Sequence, residues 1–238
     1  MYAFRVVVGL RRSWLSREAV VFSGFAGLAG ACALTAGAMR WPSFFSHLPY
    51  LSAVFPWQGV FLRMAAIAGL AGVTCSGMIY VKTPREGWSS KATLAKFFLT
   101  TFTGGLGLLG ASQAVGAWVS GEPGLPVGWL YAGVILGTLA KGALEAQVLR
   151  HLKEPGWTAL KKTALLLTGP FKTWVLGRLA LGVAGGVLLP ALLCVTWTGS
   201  MTTALLAIAS AGLWIGGELV ERHLFFRAVV PPKMPGAI

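Results

Sequence analysis

Apolar residues occur along the chain in six long runs, and polar or charged residues are concentrated between them. The runs cover residues 18–39, 56–81, 94–119, 127–149, 173–198 and 201–226. Each run is long enough to cross a hydrocarbon core about 30 Å thick, which takes roughly 20 residues of α-helix. Helices are required because an open strand would leave backbone amides without partners in lipid. The pattern predicts an all-α fold, a polytopic bundle of six transmembrane helices that forms a single integral membrane domain over residues 1–238.

The composition supports lipid as the solvent of these helices. Of the 238 residues, 55% are hydrophobic and only 11% are charged, whereas soluble domains carry about 25% charged residues. A net charge of +13 would suit a nucleic-acid-binding protein if the basic residues formed a stripe on a polar domain. Long apolar runs separate them instead, so we expect no nucleic-acid partner.

The positions of Lys and Arg predict which side of the membrane each connection faces. Seventeen of the 20 lie in the N-terminal segment, around the second and fourth connections, or in the tail: Arg5, Arg11, Arg12, Arg17, Lys82, Arg85, Lys91, Lys96, Arg150, Lys153, Lys161, Lys162, Lys172, Arg178, Arg222, Arg227 and Lys233. Cytoplasmic connections are enriched in these residues. We therefore predict a bacterial inner-membrane protein with both termini in the cytoplasm.

Ionisable residues at membrane depth are costly and therefore mark candidate functional positions. Lys141 and Glu145 lie four residues apart, hence on one face of the fourth helix. The pair either compensates its own charges or forms a proton path to a bound redox ligand, and the sequence leaves both readings open.

A second set of ionisable residues ends the sixth helix. It consists of Glu218, Glu221, Arg222 and His223, with Glu218 and Arg222 at i,i+4 spacing. Glu18 begins the first helix, where the helix dipole already favours a carboxylate.

Histidine and cysteine are too scattered to indicate a bound cofactor. A b-type haem within a bundle usually needs two histidines that face each other across helices. His47 lies in an outer loop, whereas His151 and His223 lie at cytoplasmic helix ends. Cys32, Cys75 and Cys194 each fall in an apolar run without a CxxC pair, which predicts buried thiols. We expect no haem, metal or iron–sulfur ligation by this chain.

Several segments resemble membrane anchor subunits of the DMSO reductase type. The first, MYAFRVVVGLRRSWLSREAVV, is similar to the family segment in which an A-F pair leads into S-x-L-S-x-E at the start of a helix. The last, GGELVERHLFFRAVVPPKMPG, is similar to the family's G-E-L-x-x-R-x-x-F-[YF] ending. Between them, MIYVKTPREGW and GRLALGVAGGVLLP also resemble anchor-subunit segments, so the likeness covers most of the chain.

The resemblance implies a subunit without cofactors of its own. Its partners would be a molybdopterin catalytic subunit and a four-cluster ferredoxin-like iron–sulfur subunit, and quinone or quinol would be its exchangeable substrate. In such anchors the glutamate at the Glu18 position is associated with the quinol site, and an arginine early in a later helix corresponds to Arg178. The predicted quinone-binding residues are Trp14, Arg17, Glu18, Arg178, Glu218 and His223, and the predicted proton path consists of Lys141 and Glu145.

The chain departs from the family pattern at two points. Typical members have eight helices and a histidine in an H-L-G-x-P motif just before the A-F pair, and this sequence begins after that motif. A late start, a contribution from another chain and a trimmed anchor with a changed quinone site are all open readings. The second departure is the basic N-terminal segment and tail, which predict cytoplasmic catalytic subunits. That arrangement resembles sulfite dehydrogenase complexes, whereas bacterial DMSO reductases have periplasmic catalytic subunits.

The leading functional prediction is a quinone-interacting anchor that serves sulfite oxidation or the reduction of DMSO and other S-oxides. The first alternative is a purely structural anchor without quinone chemistry. The second is a small transporter, for which Pro190 and Gln113 are the only hints, since transporters carry polar groups or broken helices at the bilayer midplane.

Overall fold

The computed structural model describes residues 9–40, 55–83, 85, 88, 90–121 and 127–228, and over these residues it contains helices and no strand. The α-helices are α1 (Trp14–Arg40), α2 (Gln58–Val81), α3 (Ser90–Ser120), α4 (Gly128–Ala146), α5 (Ala159–Thr168), α6 (Lys172–Val183), α7 (Leu189–Val195) and α8 (Met201–Arg227). A 3₁₀ segment, Gln147–Lys153, follows α4, and a π segment, Ala184–Leu188, joins α6 to α7.

Six helical spans in the described part of the chain are long and apolar enough to cross a membrane, which confirms the predicted all-α bundle. The spans are Trp14–Met39, Phe55–Val81, Lys91–Ser120, Gly128–Lys153, Lys172–Val195 and Met201–Arg227. The apolar runs locate each crossing correctly. The helices α1 and α3 begin four residues before their predicted starts, because a helix can extend beyond the apolar run into polar residues outside the lipid. Contacts divide the chain into two compact units, Met1–Thr83 and Pro84–Ile238. The single membrane domain stays a prediction.

The first unit is an antiparallel hairpin of α1 and α2 with a constant register. The ring of Phe22 lies where a Cβ on Gly72 would be, with its nearest atoms 3.1 Å away, and the ring of Phe25 lies against Gly69 in the same way. One turn before Phe22, the carboxylate of Glu18 accepts a short hydrogen bond from the Ser76 hydroxyl. Large rings on α1 therefore fit against glycines on α2, which brings the two helices close together.

Close helix contacts in the second unit also depend on small residues. A Cβ on Gly137 of α4 would overlap the Thr103 side chain of α3. Gly185 lies directly against the backbone of α8, where a Cβ would come within 2.7 Å of the Ser210 carbonyl oxygen. Helices in lipid lack a hydrophobic drive to associate, so such backbone approach supplies much of the packing.

The π segment has a local cause in Pro190. Proline has no backbone N–H and cannot donate a hydrogen bond to the preceding turn. The Gly185 carbonyl, five residues earlier, instead accepts a hydrogen bond from the Ser210 hydroxyl at 2.7 Å. The chain thus passes through the irregular turn with this backbone group satisfied, as an apolar environment requires. Pro190 consequently has a structural explanation within the fifth span.

The apolar core of the second unit lies at the end where α3 ends and α4 begins. Its buried members are Ala111, Ala114, Val127, Leu130, Tyr131, Leu193, Ala204 and Ala207. The opposite end of the same unit, where α4 and α8 end, contains the buried charged side chains.

The prediction of three buried thiols is only partly right. Cys75 is buried, Cys32 is half-buried and Cys194 is exposed at the protein surface. An apolar run predicts immersion in lipid, but it does not say which face of the helix turns toward other helices, and the prediction is wrong for Cys194.

Candidate functional site

Five ionisable side chains meet at the end of the second unit where α4 and α8 end. We call them the charged cluster: Lys141, Glu145, Arg178, Glu218 and Glu221. All five lie within membrane spans. A charge removed from water is tolerated only when it is paired or hydrogen-bonded, so the contacts of each group decide what the cluster can do.

Lys141 forms the centre of the cluster, with only 2% of its surface exposed. Its ammonium nitrogen makes a short ion pair with Glu218 and donates a hydrogen bond to the Thr100 hydroxyl at 2.7 Å. The Thr100 hydroxyl donates in turn to Glu218 Oε2 at 2.8 Å. Carboxylate oxygens of Glu145 and Glu221 each lie 3.8 Å from the Lys141 nitrogen. One buried cation therefore connects α3, α4 and α8.

Arg178 is the second cation and connects α6 to the same cluster. Its Nη2 donates to Glu145 Oε1 at 2.9 Å and to Glu218 Oε1 at 3.4 Å. Gly182, one turn later on α6, leaves space for the guanidinium, because a Cβ there would overlap Nη1 of Arg178. The Nε of Arg178 is buried and has no hydrogen-bond partner among the described residues.

Glu221 is the least compensated carboxylate of the cluster. It is 7% exposed, and its one ionic contact within the described structure is the 3.8 Å approach to Lys141. Among the described residues it accepts no hydrogen bond, whereas Glu145 and Glu218 both do. With three carboxylates and two cations, the cluster has one acidic group more than its cations can match.

A cavity of about 630 Å³ borders the charged cluster, and Glu145, Arg178 and Glu221 all line it. Lys96, His151 and Lys172 add polar groups to its wall. The rest of the wall is mainly apolar, with side chains from α4, α5, α6 and α8: Leu144, Leu149, Leu160, Leu167, Leu176, Leu179, Leu224 and Phe225 are among them. A mainly apolar cavity of about 300–1,000 Å³ with a few converging polar groups is typical of small-molecule sites.

Aromatic rings form one wall of the cavity. Trp88 and Phe225 both line it, and their rings stack with centroids 5.1 Å apart and an interplanar angle of 7°.

The Arg222 guanidinium lies 3.8 Å from the centre of the Phe97 ring. Glu218 and Arg222 have i,i+4 spacing but do not pair, because Glu218 contacts Lys141 and Arg178 instead.

The connection from α4 to α6 folds over the cavity as a short helix. Thr158 begins α5 by accepting a hydrogen bond from the Lys161 backbone N–H at 3.1 Å. Glu154, just before it, accepts hydrogen bonds from the Thr158 hydroxyl at 2.7 Å and from His151 Nδ1 at 2.5 Å. These bonds stabilise the ionised carboxylate and hold the pKa of Glu154 below its usual value.

The predicted quinone-site residues on α1 have their own contacts within the hairpin. The Glu18 carboxylate is held by Ser76. Arg17 lies 4.5 Å over the Trp14 ring and donates hydrogen bonds to the backbone oxygens of Leu10 and Arg11, at 2.8 and 3.0 Å. Arg17 thus fixes the chain segment that leads into α1.

Of the residues predicted from sequence, the structure brings Arg178 and Glu218 together with Lys141 and Glu145. His223 lies elsewhere on α8, with its ring centroid 4.9 Å from that of Trp174, and it does not line the cavity. Its Nε2 is buried and has no hydrogen-bond partner among the described residues. His47 lies outside the described residues.

The predicted quinone-binding and proton-path residues did not include Glu221 and Thr100, although the sequence grouped Glu221 with Glu218. Glu221 had a usable signal, since it lies three residues after Glu218 and therefore on the same helix face. Thr100 had no sequence signal, because its role depends on how α3 packs against α4 and α8.

In the described part of the chain no group of three or more His, Cys, Asp or Glu side chains is arranged to hold a metal ion.

Together, the six apolar spans and the buried charges at one end of the second unit define a multi-pass membrane protein. A family model, DMSO reductase anchor subunit (DmsC), matches residues 1–227. The chain belongs to this family and is a membrane anchor subunit of a DMSO reductase-type complex. Members of the family anchor a molybdopterin catalytic subunit and an iron–sulfur subunit. No curated protein and no solved structure matches the chain.

Proposed function

We propose that this anchor exchanges electrons between the iron–sulfur subunit and the quinone pool, without binding a cofactor of its own, and that quinone binds in the cavity beside the charged cluster. The supporting observation is the combination of a mainly apolar cavity with Arg178 at its wall. A quinone has an apolar ring and tail and two carbonyl oxygens that gain negative charge on reduction. The apolar walls can pack against the ring and the tail, and the guanidinium of Arg178 can stabilise the negative charge on a carbonyl oxygen.

The hairpin residues Glu18, Arg17 and Trp14 form a second candidate contact for quinone, and this candidate rests on the family resemblance. Glu18 is a part-buried carboxylate that already accepts one hydrogen bond. Lys141 and Glu145 form the proposed proton path, since both belong to the cluster that borders the cavity. His223 does not line the cavity, and its role as a quinone contact stays a prediction from the sequence alone.

We propose further that both termini face the cytoplasm of a bacterial inner membrane and that the complex oxidises sulfite rather than reducing S-oxides. The support is the concentration of Lys and Arg around the even-numbered connections and both ends of the chain. Reporter fusions at the tail and within residues 82–96 test this orientation. A periplasmic location of either would contradict it, and turnover with DMSO but not sulfite would contradict the substrate.

The quinone site is tested by replacing Arg178 with Ala in the assembled complex. Two activities are compared in membranes: turnover with a quinol or quinone analogue, and turnover with a water-soluble redox dye that reacts with the partner subunits. We expect Arg178→Ala to lower quinone-linked turnover by about 100-fold or more, as loss of a preorganised charge does, and to leave dye-linked turnover unchanged. Lys162→Ala is the matched control, since Lys162 is an exposed cation on α5.

Parallel measurements on Glu18→Gln distinguish the two candidate places. Loss in the Arg178 variant alone would support the cavity, and loss in the Glu18 variant alone would support the hairpin. Unchanged quinone-linked turnover in both variants would contradict the proposal and favour a purely structural anchor. The match to the anchor-subunit family disfavours the transporter alternative.

A further inference from the structure

Among the acidic residues of the charged cluster, Glu221 has the fewest contacts that stabilise a negative charge. Arg178 donates directly to Glu145, and Lys141 pairs closely with Glu218, so each cation has a nearer partner than Glu221. Glu221 is nevertheless 7% exposed and lies 3.8 Å from the Lys141 nitrogen. A carboxylate that lies mostly out of water and accepts no hydrogen bond from the protein is stabilised by a proton or by a donor from a bound ligand.

Because Glu221 lines the cavity, a ligand bound there could donate a hydrogen bond to its carboxylate. Its side chain lines the cavity together with Glu145 and Arg178, whereas Glu218 and Lys141 lie behind the wall. We propose that Glu221 is the acid–base residue that exchanges one proton with the quinone bound in this cavity. This inference rests on the proposed quinone function and adds to it the residue that handles the proton.

On reduction, quinone takes two electrons from the iron–sulfur subunit, and the O–H bond of protonated Glu221 breaks as an O–H bond forms on one quinone oxygen. The second proton comes from water. On oxidation of quinol, the carboxylate of Glu221 takes one proton and water takes the other, and the two electrons return to the iron–sulfur subunit.

Charged and titratable groups from α3, α4, α6, α8 and the 3₁₀ segment surround this exchange. Around the cavity and the cluster they are Lys96 of α3, Lys141 and Glu145 of α4, His151 of the 3₁₀ segment, Lys172 and Arg178 of α6, and Glu218 of α8. Arg178 and Lys141 stabilise the carboxylate that remains after the proton leaves, because both are within the same buried cluster. Transfer of the proton from Glu221 to the quinone oxygen therefore makes the charged cluster more negative by one charge, which the two cations lie close enough to stabilise.

The test compares Glu221→Gln and Glu221→Asp in the assembled complex. We expect Glu221→Gln to lower kcat of quinone-linked turnover on the order of 100-fold or more, which is the usual contribution of a general acid–base group. Dye-linked turnover and binding of a fluorescent hydroxyquinoline N-oxide quinol analogue should stay within about twofold of the wild type. Glu221→Asp keeps a carboxyl group and should recover at least tenfold of the loss. The Gln variant should also lose the pH-rate limb that the wild type and the Asp variant share.

Lys162→Gln is the control, because it removes an exposed charge that does not line the cavity in the same unit and is expected to leave kcat unchanged. Wild-type kcat in Glu221→Gln would overturn the inference, as would equal loss in the Gln and Asp variants with an unchanged pH profile. If Arg178→Ala loses quinone-linked turnover while Glu221→Gln does not, the quinone site stands and only the role of Glu221 fails. If neither variant loses it, the proposed quinone site in the cavity fails as well.

Discussion

The guanidinium of Arg178 lies over Gly182, one helical turn further along α6, in space that any side chain at position 182 would occupy. The glycine therefore belongs to the charged cluster although it carries no charge. It allows Arg178 to lie flat against its own helix and reach Glu145 and Glu218 from there.

Gly182→Ala should displace Arg178 from its carboxylate partners. Hydrogen bonds to charged groups contribute about 1.5–3 kcal/mol each, so we expect a loss of about 2 kcal/mol in the free energy of unfolding in detergent. Quinone-linked turnover should fall by up to about 100-fold, the effect of moving a positioning group by roughly 1 Å. Gly177→Ala on the same helix is the control, because a Cβ there meets nothing within 4 Å. Equal stability of the two variants would contradict this account.

Lys141→Met should be strongly destabilising, because it leaves three buried carboxylates without their shared cation. Breaking a buried ion pair on one side costs about 3–5 kcal/mol. Adding Glu218→Gln should recover at least about 1 kcal/mol, since coupled neighbours are not additive. Denaturation of the two variants and of Lys162→Met, an exposed control, measures this coupling. Additive effects of Lys141→Met and Glu218→Gln would show that the pair does not interact.

Ser76→Ala should weaken the α1–α2 hairpin by about 1–3 kcal/mol, the usual cost of an unsatisfied buried polar group. The reason is that the Glu18 carboxylate loses the donor that the opposite helix provides. Glu18→Gln keeps an acceptor oxygen and should be milder. Ser23→Ala serves as the control because the Ser23 hydroxyl donates only to the Ala19 carbonyl of its own helix. Thermal denaturation of the four proteins measures the difference.

The connection between α4 and α6 should loosen in acid. Because the pKa of Glu154 is lower in the folded protein than its reference value of 4.5, its stabilising contribution is present above pH 4.5 and is lost as the pH falls through the folded value. Hydrogen exchange of residues 147–168 should therefore rise, relative to the intrinsic rate, as the pH falls below about 4.5. Glu154→Gln should exchange faster at neutral pH and lose this dependence. An unchanged pH response in the variant would assign the effect to another group.

Hydrophobic patterning was sufficient to locate the six crossings, because lipid imposes a minimum length of apolar helix on each. The sequence pattern was less informative about which charged side chains pair with each other. The spacing of Lys141 and Glu145 placed them on one face correctly, but the short ion pair of Lys141 is to Glu218 on another helix. Equal spacing of Glu218 and Arg222 produced no pair at all, because Arg222 lies over Phe97. Residue spacing shows which side chains share a face of one helix, whereas a buried charged side chain can pair with residues on several helices.

By itself, the sequence determined that this chain is a six-span membrane protein of the anchor family, with its charges concentrated near particular helix ends. Only the tertiary structure decided that Arg178, Glu218 and Lys141 form one cluster, that Glu221 is left with little compensation, and that a cavity borders them. The physical reason is that insertion into lipid depends on the composition of each segment alone, whereas pairing of buried charges depends on distances between segments far apart in the chain.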